Sequence, residues 1–296
     1  MNDSDRRLET IAVVGAGQMG AAVGMRMRET GARVITTLKG RSAATIERAH
    51  RASLEVIDDE DRLVSEAAMI LSIVPPGQAE AVAERLRAPL TRTPLKPVFA
   101  ECNAVSPATV RRIAASLAAT GCPFIDASII GGPPPAGRVD QGPRFYASGA
   151  DAIMLAGLRK YGLDIAIIDA PVGAASAFKM AYAGLTKGLI ALGTATIGAA
   201  SRDGFGAALR DEFARSQPEL LTWLRARIPA MFPKAYRWVA EMDEIAEYLG
   251  DAASGATIYT GAARLYERVA ASYEHGGDQE PSLAALKAFL AKPNHR

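Results

Sequence analysis

Cysteine is almost missing from this sequence. Cys102 and Cys122 are the two among 296 residues, too few for a disulfide framework or a thiolate zinc cluster. Histidine numbers three, and two of them, His275 and His295, fall near the end of the chain. That leaves little for a histidine metal site or a Ser-His-Asp triad, so no metal is expected. An excess of one charge is lacking too. Lys and Arg total 34 against 32 acids, for a net charge of +2, and the two signs are interspersed. A nucleic-acid binder would carry a strongly basic stripe, so no nucleic-acid partner is expected. The uncharged stretch Gly188 to Ser201 is too short and too rich in small residues to span a bilayer. Met1 to Thr10 is polar, without the apolar run of a signal peptide. A soluble, reduced, cytoplasmic protein with no membrane partner is the expectation.

What is present is an ordinary globular composition, 49% hydrophobic and 22% charged, over a length of roughly two domains. The first half alternates β-branched runs with helical patterns. Thr10–Val14 reads as a buried strand, Met19–Thr30 as a helix closed by Gly31, Arg33–Thr37 as a second strand and Ala43–Ala52 as a second helix. Shorter apolar runs follow at 69–74, 98–101, 124–129 and 165–169. Strands spaced by helices predict an α/β fold, a doubly wound parallel sheet with helices on both faces. The segment Gly131-Gly-Pro-Pro-Pro-Ala-Gly137 reads as a rigid loop, because consecutive prolines fix φ and cannot continue a strand. At Gly173 the texture changes. Ala174 to about Ser201 is small and apolar on every side, which predicts a buried helix between domains. Beyond it lie amphipathic helical patterns at 218–228, 234–248, 261–273 and 281–290. The expected organisation is a Rossmann-type domain over 1–172, followed over 173–296 by the interdomain helix and an all-α domain.

The chemistry concentrates first in Gly15-Ala-Gly-Gln-Met-Gly20. This G-x-G-x-x-G follows a strand and opens a helix, the context that gives the motif meaning. Gly15 permits the tight turn, Gly17 the close approach of a pyrophosphate, and Gly20 the helix–strand packing. Gln18 and Met19 begin the helix, whose N-terminal N–H groups favour an anion. The alternative is a glycine turn that binds nothing. At the end of the second strand an NAD-binding protein places Asp or Glu for the ribose hydroxyl. Here Lys39, Arg41 and Ser42 stand instead, and the next acid is Glu47. Two cations and a hydroxyl suit a 2′-phosphate, so NADP(H) is expected over NAD(H); the alternative is a solvated basic loop.

Four segments together resemble the β-hydroxyacid dehydrogenases, the group that includes 3-hydroxyisobutyrate and 6-phosphogluconate dehydrogenases. They are the Gly15–Gly20 loop, the turn Asn103-Ala-Val-Ser-Pro107, the segment Asp126-Ala-Ser-Ile-Ile-Gly-Gly132, and Ala177-Phe-Lys-Met-Ala-Tyr182. The likeness covers residues 10 to about 200. The region around Arg237-Trp-Val-Ala-Glu-Met-Asp-Glu-Ile-Ala246 resembles a subgroup with a phosphogluconate-dehydrogenase-type C-terminal domain. The resemblance implies hydride transfer between NADP(H) and an alcohol–carbonyl pair, with Lys179 as general acid/base. The residue type supports that role on its own. A lysine in a nearly apolar helix is costly to bury charged, and desolvation lowers its pKa towards neutrality; the alternative is a lysine that snorkels to water. Lys187 lies about 80° round the helix from it.

This sequence departs from the family at two places. Ala183 stands where an Asn is usual, and Ile130 where a Ser precedes the two glycines. Ser128, the N–H groups of Gly131 and Gly132, and Thr186 are the remaining candidates to hold a small-molecule substrate. Pro75 either packs against the nicotinamide half of the cofactor or ends a strand. Asn103 either contacts the nicotinamide, as the resemblance implies, or caps the helix near Pro107. Glu241 reads as a second acid/base or as a solvated helix charge; Tyr182, Trp223, Phe232 and Trp238 read as core or dimer contacts. The expected function is an NADP-dependent dehydrogenase acting on a hydroxy acid or related alcohol, assembled as a homodimer. An imine reductase and a non-catalytic NADPH sensor are the alternatives, and Lys179 argues against both.

Overall fold

The computed structural model describes residues 10–250, 255–274, 286 and 288–290. They fall into two compact units divided between Met180 and Ala181. The helix expected over 281–290 lies largely outside the described residues, as does the polar segment before Thr10.

The first unit is built on one eight-stranded sheet. Its strands are β1 (Thr10–Val14), β2 (Arg33–Thr36), β3 (Glu55–Val56), β4 (Met69–Ser72), β5 (Val98–Glu101), β6 (Phe124–Ile130), β7 (Arg144–Ser148) and β8 (Asp164–Ile167), in the order β3-β2-β1-β4-β5-β6-β7-β8. Between them run helices α1 (Gln18–Glu29), α2 (Ala43–Arg51), α3 (Glu60–Glu66), α4 (Ala79–Arg92) and α5 (Pro107–Leu117). The strands are short and almost wholly apolar because both faces are covered. Val13, Leu71, Ile125 and Phe145 pack on one face with Val23 and Met27 of α1. Their neighbours Val14, Ile70 and Phe99 pack on the other with Leu86, Val110 and Ile113.

The chain reverses its direction across the sheet between β1 and β4, the place where ligands bind in open α/β sheets. In register, Val14, Ser72, Glu101 and Asp126 form one row across β1, β4, β5 and β6. Each chain leaves the sheet beyond that row at the same edge.

One pairing differs from a fully parallel sheet: β7 runs antiparallel to β6. The glycine- and proline-rich loop 131–143 returns the chain directly, so no crossover helix intervenes. A run as short as Arg-Phe-Tyr-Ala-Ser gave no period strong enough to reveal it.

Helix α6 (Ala174–Arg202) begins in the first unit and continues into the second. The second unit also holds α7 (Gly206–Ser216), α8 (Pro218–Met231), α9 (Ala235–Leu249) and α10 (Gly255–Glu274), with no strand among its described residues. Helices α9 and α10 pack on each other around Tyr266, whose ring meets Trp238 edge-on at 5.2 Å. The Tyr266 hydroxyl donates to the Lys187 carbonyl at 2.6 Å.

Helix α6 is not buried all round, contrary to the expectation from its composition. Phe178, Tyr182, Leu185, Leu189 and Leu192 are exposed, Leu185 at 71%. They recur at intervals of four and three, so they form one apolar stripe. By length and composition α6 could cross a membrane, a test that the core helix of a soluble protein also passes.

Candidate active site

The glycine loop takes the form its spacing predicts. Gly15 has φ +108°, and a side chain there would run into the Ile73 carbonyl oxygen. A side chain at Gly20 would strike the Gly15 carbonyl oxygen, whereas nothing lies within 4 Å of one built on Gly17. Gly15 and Gly20 therefore close the turn, and Gly17 faces open space. Gly17 is also the N-cap of α1, with no side chain bonded to the free N–H groups. An anion-binding concavity with its donors uncommitted is the result, which fits a pyrophosphate.

At the end of β2, Thr36 and Thr37 stand where an acid would hold a ribose, and the buried Thr37 hydroxyl has no hydrogen-bond partner. Lys39 and Ser42 are exposed, and Gly40 turns the chain at φ +73°. Arg41 donates to Gln78 Oε1 at 3.2 Å. Burial lowers its pKa, and the charge of Arg85 acts in the same direction. An incoming anion would relieve that crowding of positive charge.

Asn103 is only 4% exposed. Its Oδ1 accepts from the Val74 N–H at 2.6 Å and its amide donates to Ser72 Oγ at 3.0 Å. It braces the turns after β4 and β5 and does not cap the following helix, which Ser106 caps through the Thr109 N–H at 3.0 Å. Beneath it, burial pushes the Glu101 carboxyl up to about 8, and the charge of Asp126 adds to the effect. Pro75 is exposed at the carboxyl end of β4, ahead of a short 3₁₀ turn.

Lys179 sits on the second turn of α6. Its Nζ donates to the Ile129 carbonyl near the end of β6 at 2.6 Å. Desolvation lowers its pKa to about 8, so both protonation states are populated near neutrality. Gly131 and Gly132, two and three residues beyond Ile129, are exposed. Lysine and glycine N–H groups therefore share the end of β6.

What sets the lysine in place is Asp126, a residue whose role its sequence context did not reveal. Its Oδ2 accepts from the N–H groups of Gly173 (2.8 Å) and Ser176 (3.2 Å) and from Ser148 Oγ (2.9 Å), while Oδ1 accepts from Ser176 Oγ (2.7 Å). A strand carboxylate thus caps the helix that carries Lys179, and its charge complements the positive end of the helix dipole.

Several candidates are committed elsewhere. Ser128 is fully buried, and its hydroxyl donates to the Ala175 carbonyl at 2.8 Å. It ties β6 to α6. Thr186 Oγ1 bonds back to the Tyr182 carbonyl at 2.9 Å, as a threonine inside a helix commonly does. Lys187 is ion-paired with Glu241 and stacks over Trp238 at 4.9 Å. Glu241 is therefore neither a solvated charge nor a free acid, but half of a largely buried pair. Ala183 is buried. No group of three or more metal-ligating side chains occurs among the described residues.

Residues 10–157 match the family described as the NAD binding domain of 6-phosphogluconate dehydrogenase, and residues 200–269 match a domain of unknown function, DUF1932. A curated relative from Methanothermus fervidus, described as an uncharacterized 28.5 kDa protein in a 7S RNA 5′ region, is 26% identical over 240 residues, which is 81% of this chain and 90% of the relative. Among solved structures, a conserved protein of unknown function described as similar to 3-hydroxyacid dehydrogenases is 28% identical. It covers 90% of this chain and 99% of its own, with a TM-score of 0.66. A 3-hydroxyisobutyrate dehydrogenase of Mycobacterium tuberculosis, solved with L-serine, shares the fold at 19% identity and a TM-score of 0.62, covering 96% of this chain and 99% of its own.

Proposed function

This chain belongs to the family that carries the NAD binding domain of 6-phosphogluconate dehydrogenase, and from that premise we propose that it is a soluble, cytoplasmic NADP(H)-dependent dehydrogenase of a hydroxy acid or related alcohol. The observation that carries this reading is Lys179, desolvated to a pKa of about 8 and fixed at the end of β6. A sensor that only bound nucleotide would have no use for such a group.

When bound, the nicotinamide cofactor accepts or donates the hydride. The Gly15–Gly20 loop and the first turn of α1, with Gln18 and Met19, hold the pyrophosphate, and Lys39, Arg41 and Ser42 meet the 2′-phosphate. Pro75 lines the nicotinamide end, where Asn103 fixes the shape of the wall. Neutral Lys179 takes the proton from the substrate hydroxyl as it is oxidised, and the ammonium returns it to the carbonyl oxygen in the reverse direction. The N–H groups of Gly131 and Gly132 hold the substrate carboxylate. Wild-type protein given NADP⁺ and a panel of hydroxy acids, sugar acids and aryl alcohols should form NADPH with at least one of them. Tight NADPH binding with no turnover of any alcohol, carbonyl or imine would favour the sensor, and turnover of imines alone the reductase.

Cofactor choice gives a separate test. Arg41→Ala is expected to weaken NADPH binding by about 1–3 kcal/mol, the range for charge-assisted hydrogen bonds, and to leave NADH binding nearly unchanged. Calorimetric titration with both cofactors measures this, and equal losses would mean that the loop does not read the phosphate.

The apolar stripe on α6 supports a homodimer built through residues beyond about 174. Five large apolar side chains at seam spacing are seldom left to water by a monomer. Light scattering is expected to give twice the 31.2 kDa chain mass at micromolar concentration; a monomer would contradict it.

A further inference from the structure

Helix α1 follows the phosphate loop and buries Val23, Met27 and, among them, a charged residue. Arg26 is 2% exposed. Among the described residues its hydrogen-bond partners are all backbone carbonyls. Nη2 donates to Pro135 O (3.0 Å), Arg138 O (2.7 Å) and Gln141 O (3.1 Å), and Nη1 to Val139 O (3.4 Å) and Gly162 O (3.3 Å). Four of the five lie in the loop 131–143 that joins β6 to β7.

The composition of that loop explains why it needs such a partner. Pro133, Pro134, Pro135 and Pro143 have no N–H to offer, so the loop is short of donors for its own carbonyls. Within it, Gln141 N bonds Arg138 O at 3.0 Å and Arg138 N bonds Pro135 O at 3.4 Å. The guanidinium supplies the missing donors from outside, and the converging carbonyl dipoles in turn offset the cost of burying its charge. At the base of the loop Gly131 has φ +127°, and a side chain there would meet Pro143 Cα at 2.9 Å. The two ends are thus closed against each other, while the middle is gathered onto one arginine.

We propose that Arg26 is a positioning residue that fixes the 131–143 loop, and through it the Gly131–Gly132 N–H groups, for substrate rather than for cofactor. This rests on the reading that those N–H groups hold the substrate. Although Arg26 stands on the cofactor helix, among the described residues its polar head hydrogen-bonds only to the β6–β7 loop and the turn at Gly162. Loosening the loop therefore separates substrate binding from cofactor binding.

The Arg138–Val139 peptide bond offers a direct probe. Both side chains are exposed, yet the Arg138 carbonyl, which trypsin must draw into its oxyanion hole, is held by Arg26. In the full-length protein, Arg26→Met is expected to raise the rate of tryptic cleavage at this bond about tenfold, as a local opening free energy falls. It should also raise KM for the substrate about tenfold at nearly constant kcat, with NADPH affinity within about twofold of wild type. Arg26→Lys keeps the charge but fewer donors, and is expected to fall between the two in both measurements; it serves if the methionine variant does not fold. Unchanged cleavage at Arg138–Val139 in a folded variant overturns the proposal. So does faster cleavage with unchanged substrate KM. A wild-type protein without turnover would instead overturn the proposed function, and the cleavage rate would still decide whether Arg26 holds the loop.

Discussion

Lys179→Met is expected to lower kcat about 10²–10⁴-fold, the usual share of a general acid/base, while NADPH binding stays near that of wild type. Methionine preserves the length and apolar contacts of the side chain but has no proton to exchange. Stability should move the other way. A lysine whose folded pKa lies near 8, below its unfolded value of about 10.4, is disfavoured in its charged form by folding. That cost is fully present below pH 8 and disappears as pH rises towards the unfolded value, so the variant should melt higher than wild type at pH 7. Loss of activity with a raised melting temperature is a pattern that a misfolded protein cannot mimic. Lys187→Met supplies the contrast. It strands the largely buried Glu241, so its loss should appear in the melting temperature rather than in kcat. If Lys187→Met is the inactive protein and Lys179→Met the active one, the catalytic assignment is wrong.

Asp126→Ala is expected to destabilise the first unit by about 3–5 kcal/mol, because four donors that meet one buried carboxylate lose their acceptor together. Thermal unfolding followed by circular dichroism should show a drop of about 10 °C. Asp126→Asn keeps one oxygen for the Gly173 and Ser176 N–H groups and should recover about half of the loss. The capping role adds a kinetic signature, since α6 carries Lys179. In the asparagine variant the pH at which Lys179 loses its proton, read from the pH dependence of kcat/KM, should rise as the lysine's desolvated position against Ile129 loosens. A melting temperature within about 1 °C of wild type for the alanine variant would show that Asp126 does not hold the helix.

The parts legible in the sequence are those where local chemistry and position coincide. The strand, glycine loop and helix over 10–29 could be read because, within six residues, Gly15 and Gly20 each answer a steric demand and Gly17 leaves open space for an anion. Lys179 could be read because one charge stands in an apolar helix. Roles set by contacts between segments distant in the sequence could not. Arg26 looks like one more helix charge until the proline-rich loop lies beside it. Asp126 looks like an isolated acid inside a strand until Gly173 and Ser176 arrive from the far side of β7. The same blindness hid the bond from the Ser128 hydroxyl to Ala175 and the antiparallel β7. The exposed stripe on α6 was misread because an all-round apolar composition does not say which molecule covers each side.

The most direct test of the central claim is the pH dependence of NADPH formation by the wild-type enzyme on its best alcohol, measured as kcat/KM. If Lys179 is the base, the rate in this direction should rise with pH and level off above about 8, where the amine is neutral, and the carbonyl reduction should show the mirror image. A profile flat from about pH 6 to 10 in both directions would mean that no group with the properties of Lys179 moves the proton.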